Sequence, residues 1–105
     1  MMAKNITKTK LVEQISEKTG ITKKDTKETL DAMLDVVTEN LQEEAKKPAD
    51  ERAKIQLIGF GSFEVRDRSA RMGRNPQTGE EMEIPARTVP AFKPGKSLKE
   101  DVNVK

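Results

Sequence analysis

Apolar positions recur with a period of about 3.6 in the first half of the chain and with a period of 2 in the second. Leu11, Val12 and Ile15 fall on one helical face, with Thr7 placed to cap its start and Gly20 to end it in a left-handed cap. Thr22 with Asp25 three residues later resembles a capping box, and beyond it Leu30, Met33, Leu34, Val37 and Leu41 keep helical spacing as far as Pro48. The pattern predicts two helices, the second long, with one apolar stripe. Pro48 stops it, because proline lacks an amide proton and disfavours helical geometry just before itself. Glu43 to Lys54 then reads as a charged connector that either lengthens the second helix or forms a loose loop.

After the connector, Ile55 and Leu57 alternate with Lys54 and Gln56. Gly59-Phe60-Gly61 punctuates, and Phe63 and Val65 alternate with Ser62, Glu64 and Arg66. This predicts a hairpin with one buried face. Asp67 to Arg74 continues as an arm, Asn75-Pro76-Gln77-Thr78-Gly79 marks a turn, and Glu80 to Arg87 returns with Met82 and Ile84. Arg66 and Arg68 share a face if the strand is regular, while the phase beyond Ser69 is open. So little of the arm is apolar that it is expected to project into solvent as a flexible two-stranded ribbon. Pro90 and Pro94 are expected to break the strand that follows, and Lys96 to Val102 suffices for one short closing helix.

Composition sharpens this picture. Leu, Ile, Val and Phe supply 22 of 105 residues, near the roughly 20% below which disorder sets in. Net charge is only +2, from 20 basic and 18 acidic residues, so self-repulsion is small and the chain is expected to fold around a thin core. Such a domain gains most by completing that core with a second copy of itself, which predicts a dimer. The absence of Cys and His excludes disulfides, thiolate nucleophiles, histidine bases and ordinary zinc or haem sites. No catalytic residue, metal site or cofactor is expected, and no residue supports an enzyme. With no apolar leader and no membrane-length apolar run, the protein is expected in the cytoplasm.

Charge is uneven along the chain. Residues 1–58 hold 11 basic and 11 acidic side chains, and residues 59–105 hold 9 and 7. Arg66, Arg68, Arg71 and Arg74 face a lone Asp67 between Arg66 and Pro76.

Ile58-Gly59-Phe60-Gly61-Ser62-Phe63-Glu64-Val65-Arg66, then Arg74-Asn75-Pro76-Gln77-Thr78-Gly79, then Pro90-Ala91-Phe92-Lys93-Pro94-Gly95-Lys96 closely resemble the HU/integration host factor family of bacterial histone-like DNA-binding proteins. The resemblance covers roughly residues 6–102. It implies an α+β fold, an intertwined homodimer with a helical body, a β-saddle and two protruding β-ribbon arms. The corresponding parts are a helical dimerisation half (6–47), the connector (48–54), saddle and arm (55–93) and a C-terminal helix (95–103). It further implies that the arms wrap the minor groove of double-stranded DNA in the nucleoid, with Pro76 at each tip wedged between base pairs, as in minor-groove architectural proteins generally, HU among them. Arg66, Arg68, Arg71, Arg74, Asn75, Pro76, Gln77, Lys93 and Lys96 are the DNA-binding candidates; Phe60, Phe63, Phe92, Leu34, Val37 and Leu41 are the dimer-core candidates.

Three departures from the family accompany this: the connector from Gln42 to Lys54 is several residues longer than usual, a short leader precedes Ile6, and the arm differs at one position. Met72 stands where the family often carries a basic residue.

Plainer readings stand beside these. The arm arginines alone would pass for a solvated charge run, Pro76 for a turn former, and Lys93 and Lys96 for a solvated helix start. The three phenylalanines fit a core better than stacking platforms. Glu80 and Glu81 point to opposite faces of a strand and make a poor catalytic pair. A helix-turn-helix reading fails because the second helix has an apolar stripe and no run of Arg, Asn and Gln. Non-specific DNA bending and nucleoid compaction lead; site-specific bending, as by integration host factor, and a protein-interaction scaffold are the alternatives. RNA binding as a secondary activity and a heterodimer with a paralogue both stay open.

Overall fold

A computed structural model describes residues 4–104; Met1 to Ala3 of the leader lie outside the described residues. The fold is α+β, in the order α1 (Lys8–Thr19), α2 (Lys23–Ala45), a 3-10 turn (Ala49–Glu51), β1 (Ile55–Leu57), β2 (Gly61–Arg68), β3 (Arg71–Arg74), β4 (Glu81–Ile84), β5 (Arg87–Pro94) and α3 (Lys96–Val102). The chain divides into two compact units, one ending at Thr38 and one beginning at Glu39. No helix among the described residues is long and apolar enough to cross a membrane.

In the first unit the expected caps form. The Thr7 hydroxyl accepts from Lys10 N, and Gly20 adopts φ 78°, its N–H donating to Ser16 O. Thr22 Oγ1 accepts from Asp25 N, but the shorter Asp25 side chain does not complete the reciprocal bond of a capping box. Lys8 and Lys27 both grip Asp31, at 2.7 and 2.9 Å, and those hydrogen bonds, that from Lys8 first, hold its carboxyl below the usual range. Packing here is sparse. Among the described residues of the whole chain only Val12 and Thr26 are buried, while Leu11, Ile15, Ile21, Met33 and Leu34 stay substantially exposed.

In the second unit α2 ends at Ala45, tightening into bonds from Lys46 N to Glu43 O and from Lys47 N to Glu44 O. The helix takes up the connector's first residues, Glu43 to Ala45, and the remainder does not hang loose. It folds back through the 3-10 turn and is stitched down by Arg52, whose side chain is only 10% exposed. Arg52 Nε donates to Glu44 O and Lys47 O at 3.1 and 3.0 Å, and Nη2 donates to Ala45 O at 3.3 Å. The guanidinium thus satisfies the carbonyls that a helix C-terminus leaves without partners, and places a cation at the negative end of the helix dipole. Nη1 reaches Asp67 Oδ1 on β2 at 3.0 Å. Glu44 Oε1 takes the Ala53 N–H, and Glu44 also pairs with Lys47.

β1, β2 and β5 form an antiparallel sheet in the order β1-β2-β5, and β3 pairs with β4 in a two-stranded sheet. Phe63 and Val65 lie opposite Phe92 and Pro90 on one sheet face. Phe92 packs against Phe63 and Phe60 with ring centroids 5.0 and 5.5 Å apart, near the tilted geometry aromatic rings favour. Gly61, across from Pro94, has no room for a side chain: a Cβ there would lie 2.6 Å from Lys93 O and from the Phe92 ring.

Pro90 and Pro94 do not break the strand. β5 runs through both of them. It is an edge strand, paired to β2 alone, where a missing N–H that faces outward costs the ladder nothing.

Candidate nucleic-acid interface

Strand alternation sorts the second unit's charges. With Phe63 and Val65 on the apolar face, Ser62, Glu64, Arg66 and Arg68 take the other, and the register sets Lys93 opposite Ser62 and Arg87 opposite Arg68. One sheet face therefore carries Arg66, Arg68, Arg87 and Lys93. Glu64 sits among them, hydrogen-bonded to Arg66 Nη2 at 2.8 Å and 3.8 Å from Lys54 Nζ. That hydrogen bond is the main reason its carboxyl lies below the usual range, helped by the charges of Arg66, Lys54 and Lys93.

The separated sequence motifs meet in space. Gly95 N donates to Phe60 O at 2.8 Å, so the Phe-Lys-Pro-Gly-Lys stretch docks on the Gly-Phe-Gly turn, whose Gly59 adopts φ 87°. A cavity of about 540 Å³ opens beside this junction, edged by Lys54, Lys93, Lys96 and Lys99 with Ser62 between them. The structure thus brings Lys93 and Lys96 together, and adds Lys54 and Lys99, which the motif alone did not single out.

Further along, β3 and β4 carry the ribbon to its tip. Asn75 N donates to Glu80 O and Gly79 N to Asn75 O, at 2.8 and 2.7 Å. Asn75 Oδ1 accepts from Gln77 N at 2.8 Å, and Gly79 supplies φ 74°. This local turn leaves Pro76 exposed at the end of the ribbon. Arg74 braces the tip, donating to Gly79 O at 3.0 Å. Met72 faces solvent opposite Glu83.

The four arm arginines are therefore unequal. Arg66 is held by Glu64 and Arg74 by the tip, whereas the side chains of Arg68 and Arg71 make no hydrogen bond or ion pair among the described residues. The side chain of Arg87, opposite Arg68, is likewise without a hydrogen bond or ion pair among the described residues, and sequence reading missed it. Counting back from the Asn-Pro tip along both strands would have found it.

Helices and a three-stranded antiparallel sheet, with a basic sheet face that runs into an arginine-bearing, proline-tipped ribbon, define a β-ribbon protein of the histone-like class. The chain belongs to the bacterial DNA-binding protein family, whose model matches residues 6–103. It is 56% identical over 95 residues to DNA-binding protein HU of Geobacillus stearothermophilus, covering 90% of this chain and 97% of that one. It is 55% identical to DNA-binding protein HU 1 of Bacillus subtilis over 95 residues, covering 90% and 95%. Among solved structures it matches an Anabaena HU–DNA cocrystal structure with a TM-score of 0.82 at 43% identity, covering 94% and 99% of the two chains.

Proposed function

We propose that the protein is a cytoplasmic, nucleoid-associated homodimer that binds double-stranded DNA with little sequence preference and bends it through the minor groove. The observation that carries this reading is the ribbon: unpaired arginines at its root and an exposed proline at its tip, in a chain whose structural relative is described in complex with DNA. Arginines neutralise phosphate and suit a narrow minor groove, where negative potential is enhanced. Pro76 is rigid and apolar and has no N–H to leave unsatisfied against a base. Wedging it into a step costs a few kcal/mol of stacking, and the bend brings more duplex against the lysines of the body. Smooth bending of a 20–30 bp site costs on the order of 1–6 kcal/mol, which several added bonds to phosphate offset.

Weak sequence preference has support at the tip. The minor groove offers a degenerate pattern, and the Asn75 carbonyl oxygen is already occupied by the Gln77 amide. The dimer reading is supported by unfilled apolar surface: Leu34 is 48% and Phe60 47% exposed, Ile58 entirely so, and no described side chain is fully buried. Leu34, Val37, Leu41, Phe60, Phe63 and Phe92 are the residues a second copy would cover. DNA contact is assigned to Arg66, Arg68, Arg71, Arg74, Asn75, Pro76, Gln77, Lys93 and Lys96, with Pro76 as the intercalating residue.

End-to-end fluorescence transfer on several unrelated duplexes of about 30 bp, at two salt concentrations, tests the proposal. The expected result is a salt-sensitive rise in transfer on every duplex. A rise on one sequence alone would replace this reading with site-specific bending, and no rise on any would replace it with a protein-binding scaffold.

A further inference from the structure

The ribbon's hydrogen-bond ladder is interrupted at its root. β2 ends at Arg68 and β3 begins at Arg71, while on the return side β4 ends at Ile84 and β5 begins at Arg87. Arg68 pairs with Arg87 before the gap and Arg71 with Ile84 beyond it, so Ser69-Ala70 and Pro85-Ala86 lie opposite each other and the register is kept across them. Pro85 has no N–H to give to the ladder.

A cavity of about 380 Å³ lies at this gap, lined by Arg68, Ser69, Arg71, Ile84, Pro85 and Arg87. Three of its six lining residues are arginines, drawn from both strands. None of the three guanidinium groups makes a hydrogen bond or ion pair among the described residues. The acids close to them in sequence on β2 are already engaged: Asp67 accepts from Arg52 and Thr88, and Glu64 from Arg66. Like charges directly opposite on paired strands repel, and Arg68 faces Arg87 with no acidic side chain of the cavity lining between them.

We infer that Arg68, Arg71 and Arg87 form a cradle for one phosphodiester group of the bound duplex, and that Arg87 closes it from the return strand. Guanidinium groups present planar, multiple donors that match phosphate oxygens better than an ammonium does. A phosphate in the cradle replaces the Arg68–Arg87 repulsion with charge-assisted bonds to both strands. It also joins the strands where the backbone ladder does not, so occupancy fixes the root of the ribbon. The inference rests on the DNA-binding reading and adds to it a return-strand residue and a coupling between phosphate binding and ribbon order.

The test uses the full-length protein and its Arg87→Ala and Arg87→Lys variants, titrated with a duplex of about 30 bp over a range of salt. Hydrogen exchange at the Ala70 and Ala86 amides is read with and without the duplex. Arg87→Ala is expected to lower the slope of log K against log salt by about 0.9 for each cradle engaged and to abolish the duplex-dependent protection of both amides. Arg87→Lys is expected to keep the slope but bind severalfold more weakly at fixed salt. Lys46→Ala, which removes an exposed connector charge, is expected to leave the slope in place.

An unchanged slope and unchanged protection in Arg87→Ala would overturn the cradle while leaving DNA binding intact. If the wild type shows no salt-sensitive binding at all, the reading beneath it falls as well. Competition by inorganic phosphate at constant ionic strength, present in the wild type and lost in Arg87→Ala, would make this a free-anion site and overturn its assignment to the duplex.

Discussion

Arg52 and the arginines of the ribbon root have the same side chain and opposite circumstances. Arg52 lies in the connector, nearly covered, with every bond directed inward to the carbonyls of Glu44, Ala45 and Lys47 and to Asp67. Arg68, Arg71 and Arg87 surround a cavity, and their guanidinium groups have no hydrogen-bond or ion-pair partner among the described residues. The connector arginine is consumed by the fold, because a helix end must place its orphan carbonyls somewhere. The ribbon arginines are left over from the fold, and what the fold leaves unsatisfied is available to a ligand. Counting basic residues would merge the two groups; following their hydrogen bonds separates them.

The largest expected effect is at Arg52. Arg52→Ala takes the guanidinium donor from the Ala45 and Lys47 carbonyls, leaves Glu44 O with the Lys47 N–H alone and removes the cation beside Asp67, which should destabilise the protein by about 1–3 kcal/mol. Chemical denaturation measures this. DNA affinity at a temperature where the variant is folded should keep the wild-type salt slope. A stability loss below about 0.5 kcal/mol, the range of ordinary surface changes, would mean that Arg52 too is a surface charge, and the contrast would collapse.

The converse change comes next. Replacing both Arg68 and Arg71 with Ala should leave stability within about 0.5 kcal/mol or raise it slightly through relief of the repulsion with Arg87. The salt slope should fall by roughly 0.9 for each phosphate that is no longer neutralised. An unchanged slope would mean that these unpaired arginines face no phosphate.

Much of this organisation is legible in the sequence. The caps at Thr7 and Gly20, the Asn-Pro turn, the shared face of Arg66 and Arg68 and the closing helix all follow from local periodicity and turn chemistry. What escapes depends on tertiary neighbours. Pro90 and Pro94 look like strand breakers in sequence because their tolerance requires β5 to be an edge strand, a property of sheet order. Arg52 carries no motif, since its acceptors are backbone carbonyls on the preceding helix. Arg87 lies outside the arginine run and becomes part of the site only through its pairing with Arg68.

A third change separates geometry from attraction within the ribbon. Pro76 is exposed and takes no part in the hydrogen bonds of the tip, which run through Asn75, Gln77 and Gly79. Pro76→Ala should therefore keep the turn and reduce the bend, read by fluorescence transfer, more than it reduces affinity. Losses in equal proportion would assign Pro76 to shaping the ribbon rather than wedging a base step.

The smallest expected effect is the response to acid, and it too distinguishes the two groups of arginines. At the connector, Glu44 has its carboxyl held below the usual range, first by the hydrogen bond from Lys47 and then by the Ala53 N–H. A carboxyl depressed in the folded state binds its proton more readily when unfolded. Its contribution is therefore whole above the ordinary carboxylate value and is lost as pH falls from there through the depressed folded value. Acidification should therefore loosen the connector, whereas the cradle lining at the ribbon root holds no carboxylate fastening to lose. Melting temperature followed downward from neutral pH should hold steady, then fall on entering the carboxylate range. In Glu44→Gln, which keeps an acceptor for Ala53 but has no proton to gain, the fall should be shallower, the remainder coming from Asp31 and Glu64, whose carboxyls are lowered in the same sense. Identical acid profiles for the two proteins would show that the Glu44 charge does not help hold the connector, leaving Arg52 as its fastening.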